Sequence, residues 1–160
     1  MVRRSGSAAA LRAPLKTLVT NALTVAGHSA GAITLVLSDD AELRALNRQW
    51  RGHDRATDVL SFPEDDSPGK KVGGELILSM DRAREQARRF RVTPGEELAR
   101  LVIHGALHLA GHDHMKTGER RAMRAAEAAA LAESRTAIRA LDRALRTIDA
   151  SAERASLSNA

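Results

Sequence analysis

The chain is predicted to fold as an α+β domain, with a small mixed sheet of three to four strands packed against about five or six helices. Two observations predict this. Short aliphatic runs bounded by polar or glycine-rich segments alternate with longer stretches whose apolar residues recur every three or four positions. Several of the links between them are too short for the crossovers that a wholly parallel sheet requires.

The first helix is expected from about Ala8 to Ala26, where Leu11, Leu15, Leu18, Val19, Leu23 and Ala26 stand at helical spacing. Gly27 to Gly31 breaks it, and Ala32 to Leu37 reads as a strand. Ser38 or Asp39 caps a second helix through about Trp50, with Leu43, Leu46 and Trp50 expected on its inner side. Arg51 to Ala56 is a polar loop, and Asp58 to Phe62 is a strand that Pro63 stops. Glu64 to Lys71 is an exposed loop, and Gly73 to Ser79 is a third strand leading into an arginine-rich helix that ends near Val92. Thr93, Pro94 and Glu96 supply an N-cap, a proline at the first helical position and an acidic third position. The helix they start runs through Leu98, Leu101, Val102 and Ala106 and is apolar around much of its circumference, so it is central. Another begins near Thr117, with Met123 and Leu131 facing inward. Beyond it the chain is rich in Ala and Arg, with Ile138, Leu141, Leu145 and Ile148 in one narrow stripe. The reading is one domain over residues 1–131 and a helical extension over 132–160, frayed from Ser151 and docked on the domain through that stripe.

Composition narrows the chemistry. With no cysteine, disulfides, thiolate metal sites and thiol nucleophiles are excluded. The apolar run after the basic first residues is broken by Arg12, Pro14 and Lys16, so it is not read as a signal peptide. No stretch is long and apolar enough to span a bilayer, and a cytoplasmic protein with no membrane partner is expected. The net charge is +5, and between Arg82 and Arg91 five arginines face one glutamate. Arg84, Arg88 and Arg91 share a helical face, a pattern that attracts polyanions and equally fits a solvated surface. Aromatic residues are only Trp50, Phe62 and Phe90, which argues against nucleic-acid binding by base stacking.

Four of the six histidines fall between His104 and His114, at the end of the central helix. His104 and His108 are one turn apart on one helical face. Gly111 suits a left-handed C-terminal cap, whose turn can bring His114 to the same point. Three imidazoles converging on one ion, with a fourth position open, is the catalytic zinc pattern. The H-x3-H-x2-G-x2-H spacing coincides with the frame of metzincin peptidases, but the general-base glutamate of that frame falls on Gly105. Glycine cannot accept a proton. The base then comes from elsewhere, or metal lowers the pKa of water to about 7 and makes a base unnecessary. A peptidase, or another metallohydrolase on the same three histidines, is the alternative reading. His112 is taken as an exposed neighbour, Asp113 as a possible hydrogen-bond partner for a ligand imidazole, and His28 and His53 as surface residues.

The segment Leu46-Asn47-Arg48-Gln49-Trp50-Arg51-Gly52-His53-Asp54-Arg55-Ala56-Thr57-Asp58-Val59-Leu60-Ser61-Phe62-Pro63, together with His104 to His114, resembles the signatures of the YbeY family of bacterial endoribonucleases. Those are L-N-x-x-[YW]-R-x-x-D-x-x-T-D-V-L-S-F-P and H-G-x-L-H-L-x-G-x-D-H; Gly74 to Ser79 is similar to the family's G-[DE]-I-x-I-S strand. The resemblance covers about Ala32 to Leu131 and implies a single-strand-specific, metal-dependent endoribonuclease of 16S ribosomal RNA 3′-end maturation and ribosome quality control. It implies one Zn2+ per chain on His104, His108 and His114, with RNA and the small ribosomal subunit as partners. Arg51 would stabilise charge on the phosphate, unless it forms a salt bridge to Asp54 or Asp58 instead. Arg48, Arg55, Arg84 and Arg88 would follow the RNA backbone, while Thr57, Asp58 and Ser61 shape the groove wall. Family members usually begin with a strand before the first helix, which Met1 to Ser7 does not offer.

Overall fold

The computed structural model describes residues 8–64, 71–112 and 117–159. In chain order these form α1 (Ala9–Val25), β1 (Ala30–Ser38), α2 (Asp40–Arg51), β2 (Val59–Pro63), β3 (Val72–Ser79), α3 (Met80–Phe90), α4 (Pro94–Leu109), α5 (Thr117–Glu133) and α6 (Arg135–Ser158). The mixed sheet has the order β1-β3-β2, with β1 parallel and β2 antiparallel to β3. Helix termini follow their capping chemistry. Asp39, Ser79 and Thr93 each accept from the backbone N–H three residues on, at Glu42, Arg82 and Glu96. Gly52 closes α2 in the left-handed conformation at φ 69°, and Gly111 turns the chain after α4 at φ 89°.

The main core lies between the sheet and α1, α4, α5 and α6; Leu18, Leu23, Leu76, Leu98, Ile103 and Met123 are fully or almost fully buried there. Helix α4 is its centre, lying over β2 and β3 on one side and touching α1, α5 and α6 on others. The opposite face of the sheet carries a small cluster of Leu43, Leu60 and Ile77, with Val36, Leu46 and Phe62 around it. Neighbouring residues of β2 therefore point to opposite sides: Leu60 and Phe62 toward α2, and Val59 toward Gly105 of α4.

The structure departs from the sequence pattern in three places. Trp50 is not buried but 65% exposed: the small cluster under α2 takes in Leu43 and Leu46 and leaves Trp50 out. Arg91 takes the left-handed cap of α3 at φ 57° and so leaves the helical face of Arg84 and Arg88. Helix α6 continues to Ser158 rather than fraying at Ser151. Its stripe packs into the main core, with Leu141 and Leu145 buried and Ile138 and Ile148 partly so. Asp142 on the same helix accepts from Gly95 N and Thr93 Oγ1, both at 2.8 Å, and so holds the start of α4. The strand that family members usually carry before the first helix, read as missing from Met1 to Ser7, would fall on residues 1–7, outside the described residues. Leu141→Ala should lower the unfolding free energy by about 2–5 kcal/mol in urea titrations. A loss below about 1 kcal/mol would show that α6 is not part of the cooperative core.

Candidate metal centre

Glu97, Arg100, His104 and His108 run along one side of α4, at spacings that place them on a single helical face. The rest of the helix is committed to packing, with Leu98, Leu101, Val102, Ile103, Ala106 and Leu107 all buried. Packing against the sheet is closest at Gly105. A methyl there would stand 2.9 Å from Leu76 Cδ2 and 3.2 Å from Val59 Cγ2. The glycine thus lets α4 lie directly on β2 and β3, with His104 and His108 beside the edge strand. It also explains why no glutamate follows the first histidine: that position faces the sheet and has no room for a side chain. The peptidase reading loses its base for a steric reason as well as a chemical one.

Nε2 of His104 and Nε2 of His108 are 3.1 Å apart. Two ligands at about 2.0–2.1 Å from a tetrahedral ion stand about 3.3 Å from each other, so the pair is spaced to share one. Nδ1 of His104 is held by the carboxylate of Glu127 on α5. With Nδ1–H donated to that carboxylate, Nε2 presents its lone pair toward His108, the arrangement typical of metal-binding imidazoles. Burial acts to raise the Glu127 carboxyl pKa, but the hydrogen bond and charge of His104, with Arg100 and His108 behind, hold it below its ordinary value. Among the described residues no set of three potential ligands is assembled. The expected third ligand, His114, and the expected partner Asp113 lie outside the described residues.

Arg51 ends α2 and reaches β2, the strand whose Val59 faces Gly105. Its Nη2 donates to Ser61 O at 2.8 Å, and its guanidinium lies 5.7 Å from the Phe62 ring centroid. It forms neither of the salt bridges considered from sequence: Asp54 pairs with Arg44 at 2.9 Å, and Asp58 accepts from Gln86 at 3.3 Å. The Arg44 hydrogen bond and charge hold the exposed Asp54 carboxyl below its ordinary pKa. Buried Asn47 fixes the connection after Arg51, donating to Arg55 O at 3.1 Å while its own carbonyl accepts from His53 N at 3.3 Å. Ser61, by strand alternation, shares the α4 side of β2 with Val59.

Arg55, Thr57 and Asp58 come together with Arg82 and Gln86 around a polar cavity of about 310 Å³. Arg48 and Arg88 are exposed. Arg84 is engaged elsewhere, pairing with Asp149 of α6 at 2.8 Å, so the face expected to follow RNA is partly spent on holding α6. His28 and His53 are exposed, and His112 is half-buried. Sequence reasoning missed Glu127, which lies 23 residues from His104 and carries no local signal. It also missed the buried Glu97, whose carboxylate holds Arg100 at 2.6 Å. That pair was discoverable, since a carboxylate and a cation on a helix otherwise buried must satisfy each other. The Glu97 hydrogen bond raises the Arg100 pKa above its ordinary value against the effect of burial.

Residues 4–135 match the family model described as Endoribonuclease YbeY. Similar proteins include an Endoribonuclease YbeY of Anaeromyxobacter sp. (strain Fw109-5), 43% identical over 77% of this chain and 64% of that protein. Another, from Carboxydothermus hydrogenoformans, is 38% identical over 71% of this chain and 81% of its own length. In other relatives the matched part is shorter, 36% of the Myxococcus xanthus protein and 58% of the Persephonella marina protein. The solution structure of TM1509 from Thermotoga maritima superimposes with a TM-score of 0.52 at 30% identity, covering 85% of this chain and 93% of that one.

The close approach at position 105 yields a stability test. Gly105→Ala gains about 1 kcal/mol of helix propensity and loses about 1–3 kcal/mol to overpacking. Gly105→Glu, which also buries a carboxylate, should lose about 3 kcal/mol or more in urea denaturation. Wild-type stability with new peptide hydrolysis in Gly105→Glu would refute this account of the position.

Proposed function

The chain belongs to the YbeY family, and on that premise we propose that it is a metal-dependent endoribonuclease cleaving single-stranded RNA. The observation that carries the proposal is the facing pair of Nε2 atoms on His104 and His108, with Glu127 behind His104. Zn2+ is the ion proposed, one per chain, with His114 as the third ligand. The substrate proposed is the 3′ end of 16S ribosomal RNA on the small ribosomal subunit in the cytoplasm.

A bound zinc ion would supply Lewis acidity toward a phosphoryl oxygen and ease deprotonation of an attacking hydroxyl or water. The chain's own residues do the rest. His104 and His108 present lone pairs from a rigid helix, and Glu127 fixes the orientation and tautomer of His104. Arg51 is anchored by one amino group on Ser61 O, which leaves the other side of its planar fork for phosphate oxygens. There it offsets charge developing on the phosphate in the transition state. Thr57 and Asp58, with Arg55, Arg82 and Gln86, wall the polar cavity that takes the neighbouring part of the strand. Arg48 and Arg88 add sequence-independent attraction, which weakens as salt rises.

His108→Ala should lose both stoichiometric zinc, by metal analysis, and cleavage of a labelled single-stranded RNA. Retention of both would sink the assignment. Arg51→Ala should lower kcat about 100- to 1000-fold with zinc content unchanged, the magnitude expected for one transition-state donor. Glu127→Gln should weaken zinc about 10- to 100-fold in chelator competition while the fold, by circular dichroism, stays intact. In cells, 16S 3′ ends that stay correctly matured in a His114→Ala strain would refute the ribosomal role while leaving the nuclease activity standing.

A further inference from the structure

Trp50 is the only tryptophan in the chain, and it is 65% exposed. It stands at the end of α2 directly before Arg51, whose guanidinium is bonded to Ser61 O on the edge strand. Two residues back along that strand, about 7 Å away, Val59 lies against Gly105, between the two histidines. The surroundings are cationic. Four arginines stand against one aspartate between positions 44 and 55, and the single acid, Asp54, is taken by Arg44. Arg48, Arg51 and Arg55 are all exposed.

A lone exposed apolar side chain needs no explanation. An exposed indole set among arginines, next to residues that could handle a phosphodiester, is different. Single-stranded nucleic acid binders combine a basic surface for the backbone with aromatic rings on which unpaired bases stack. Three aromatic residues are too few for a stacked track, as expected from sequence, but one exposed ring suffices for one base. Helical spacing puts this side chain on the same face as Leu43, yet it stays outside the small cluster around Leu43 and is exposed. The last turn of α2 is held rigidly by Asn47 and the Gly52 cap, so the ring is presented at little entropic cost.

We propose that Trp50 is a stacking platform for an unpaired base of the RNA strand flanking the scissile phosphate, with Arg48 and Arg51 holding the adjoining backbone. The inference rests on the nuclease reading and deepens it, by assigning a means of selecting single strands. A base within a duplex is stacked on its neighbours and cannot be given up to the indole without unpairing. The platform therefore discriminates single-stranded from double-stranded RNA without reading sequence.

The sole tryptophan makes the test direct. Zinc-loaded protein is titrated with a 2′-O-methyl oligouridylate that resists cleavage, while Trp50 emission and the anisotropy of a label on the RNA are followed together. Stacking predicts strong quenching that saturates with the anisotropy change, and no quenching by a duplex of the same length. Trp50→Ala and Trp50→Leu should each weaken binding roughly tenfold, with Trp50→Phe between them and wild type, in line with the worth of one stacked base. Leucine keeps the apolar bulk without a π face, so it separates stacking from simple contact. RNA that binds with Trp50 emission unmoved, or a Trp50→Leu variant that binds like wild type, overturns the platform but leaves the nuclease reading intact. In that case the exposed ring belongs to a protein contact. If the wild-type protein neither binds nor cleaves single-stranded RNA, both readings fall.

Discussion

The site depends first on how closely α4 lies on the sheet. At Gly105 the distance is set by Leu76 and Val59, and at the end of the helix Leu109 approaches Gly74 where φ is 144°. A side chain at either glycine would displace the helix from the strands, which would move His104 and His108 relative to Arg51 on the other side of β2. Such interiors behave as close-packed solids, so a shift of this kind is not absorbed locally. Elements distant in sequence meet at the centre because two glycines let the facing side chains, Leu76 and Val59 at one and Leu109 at the other, reach the backbone.

That contact dictates the electrostatics. With most of its circumference taken by packing, α4 leaves one narrow face for polar groups, and Glu97, Arg100, His104 and His108 share it. Each group is met by a partner. Glu97 holds Arg100, Arg100 reaches Gln86 of α3 at 3.5 Å, and Glu127 of α5 holds His104. Removing one partner from such a chain leaves its neighbour desolvated and unpaired, which costs more than forming the pair contributes. The network therefore fixes ring orientation more than it adds stability, and orientation is what a site with a bound ion needs.

Element boundaries are legible in the sequence because they rest on local chemistry. Asp39, Ser79 and Thr93 cap the helices that follow them, Gly111 ends α4, and Pro63 closes β2. The facing pair His104 and His108 is legible for the same reason, since helical periodicity places both on one face. What depends on tertiary supply is not legible. Nothing near His104 announces Glu127, and nothing in the arginine face of α3 announces that Asp149 of α6 occupies Arg84. Trp50 shows the limit most clearly. Its spacing from Leu43 and Leu46 is that of a buried stripe, but burial requires a surface to face, and the small cluster that covers Leu43 does not take it in.

The C-terminal helix bears on the site through the same logic. Asp142 receives the hydrogen bonds of Gly95 N and Thr93 Oγ1, where a helix start would otherwise leave N–H groups without partners. Its charge also sits favourably at the positive end of the α4 dipole. At the far end of the same helix stand the two imidazoles that face one another at Nε2. Because α4 is a continuous helix of 16 residues, anchoring its start against α6 and its middle against β2 and β3 leaves no freedom for its end to tilt. Residues beyond position 131 thus act on the pair of imidazoles without touching it, by holding in place the helix that carries them.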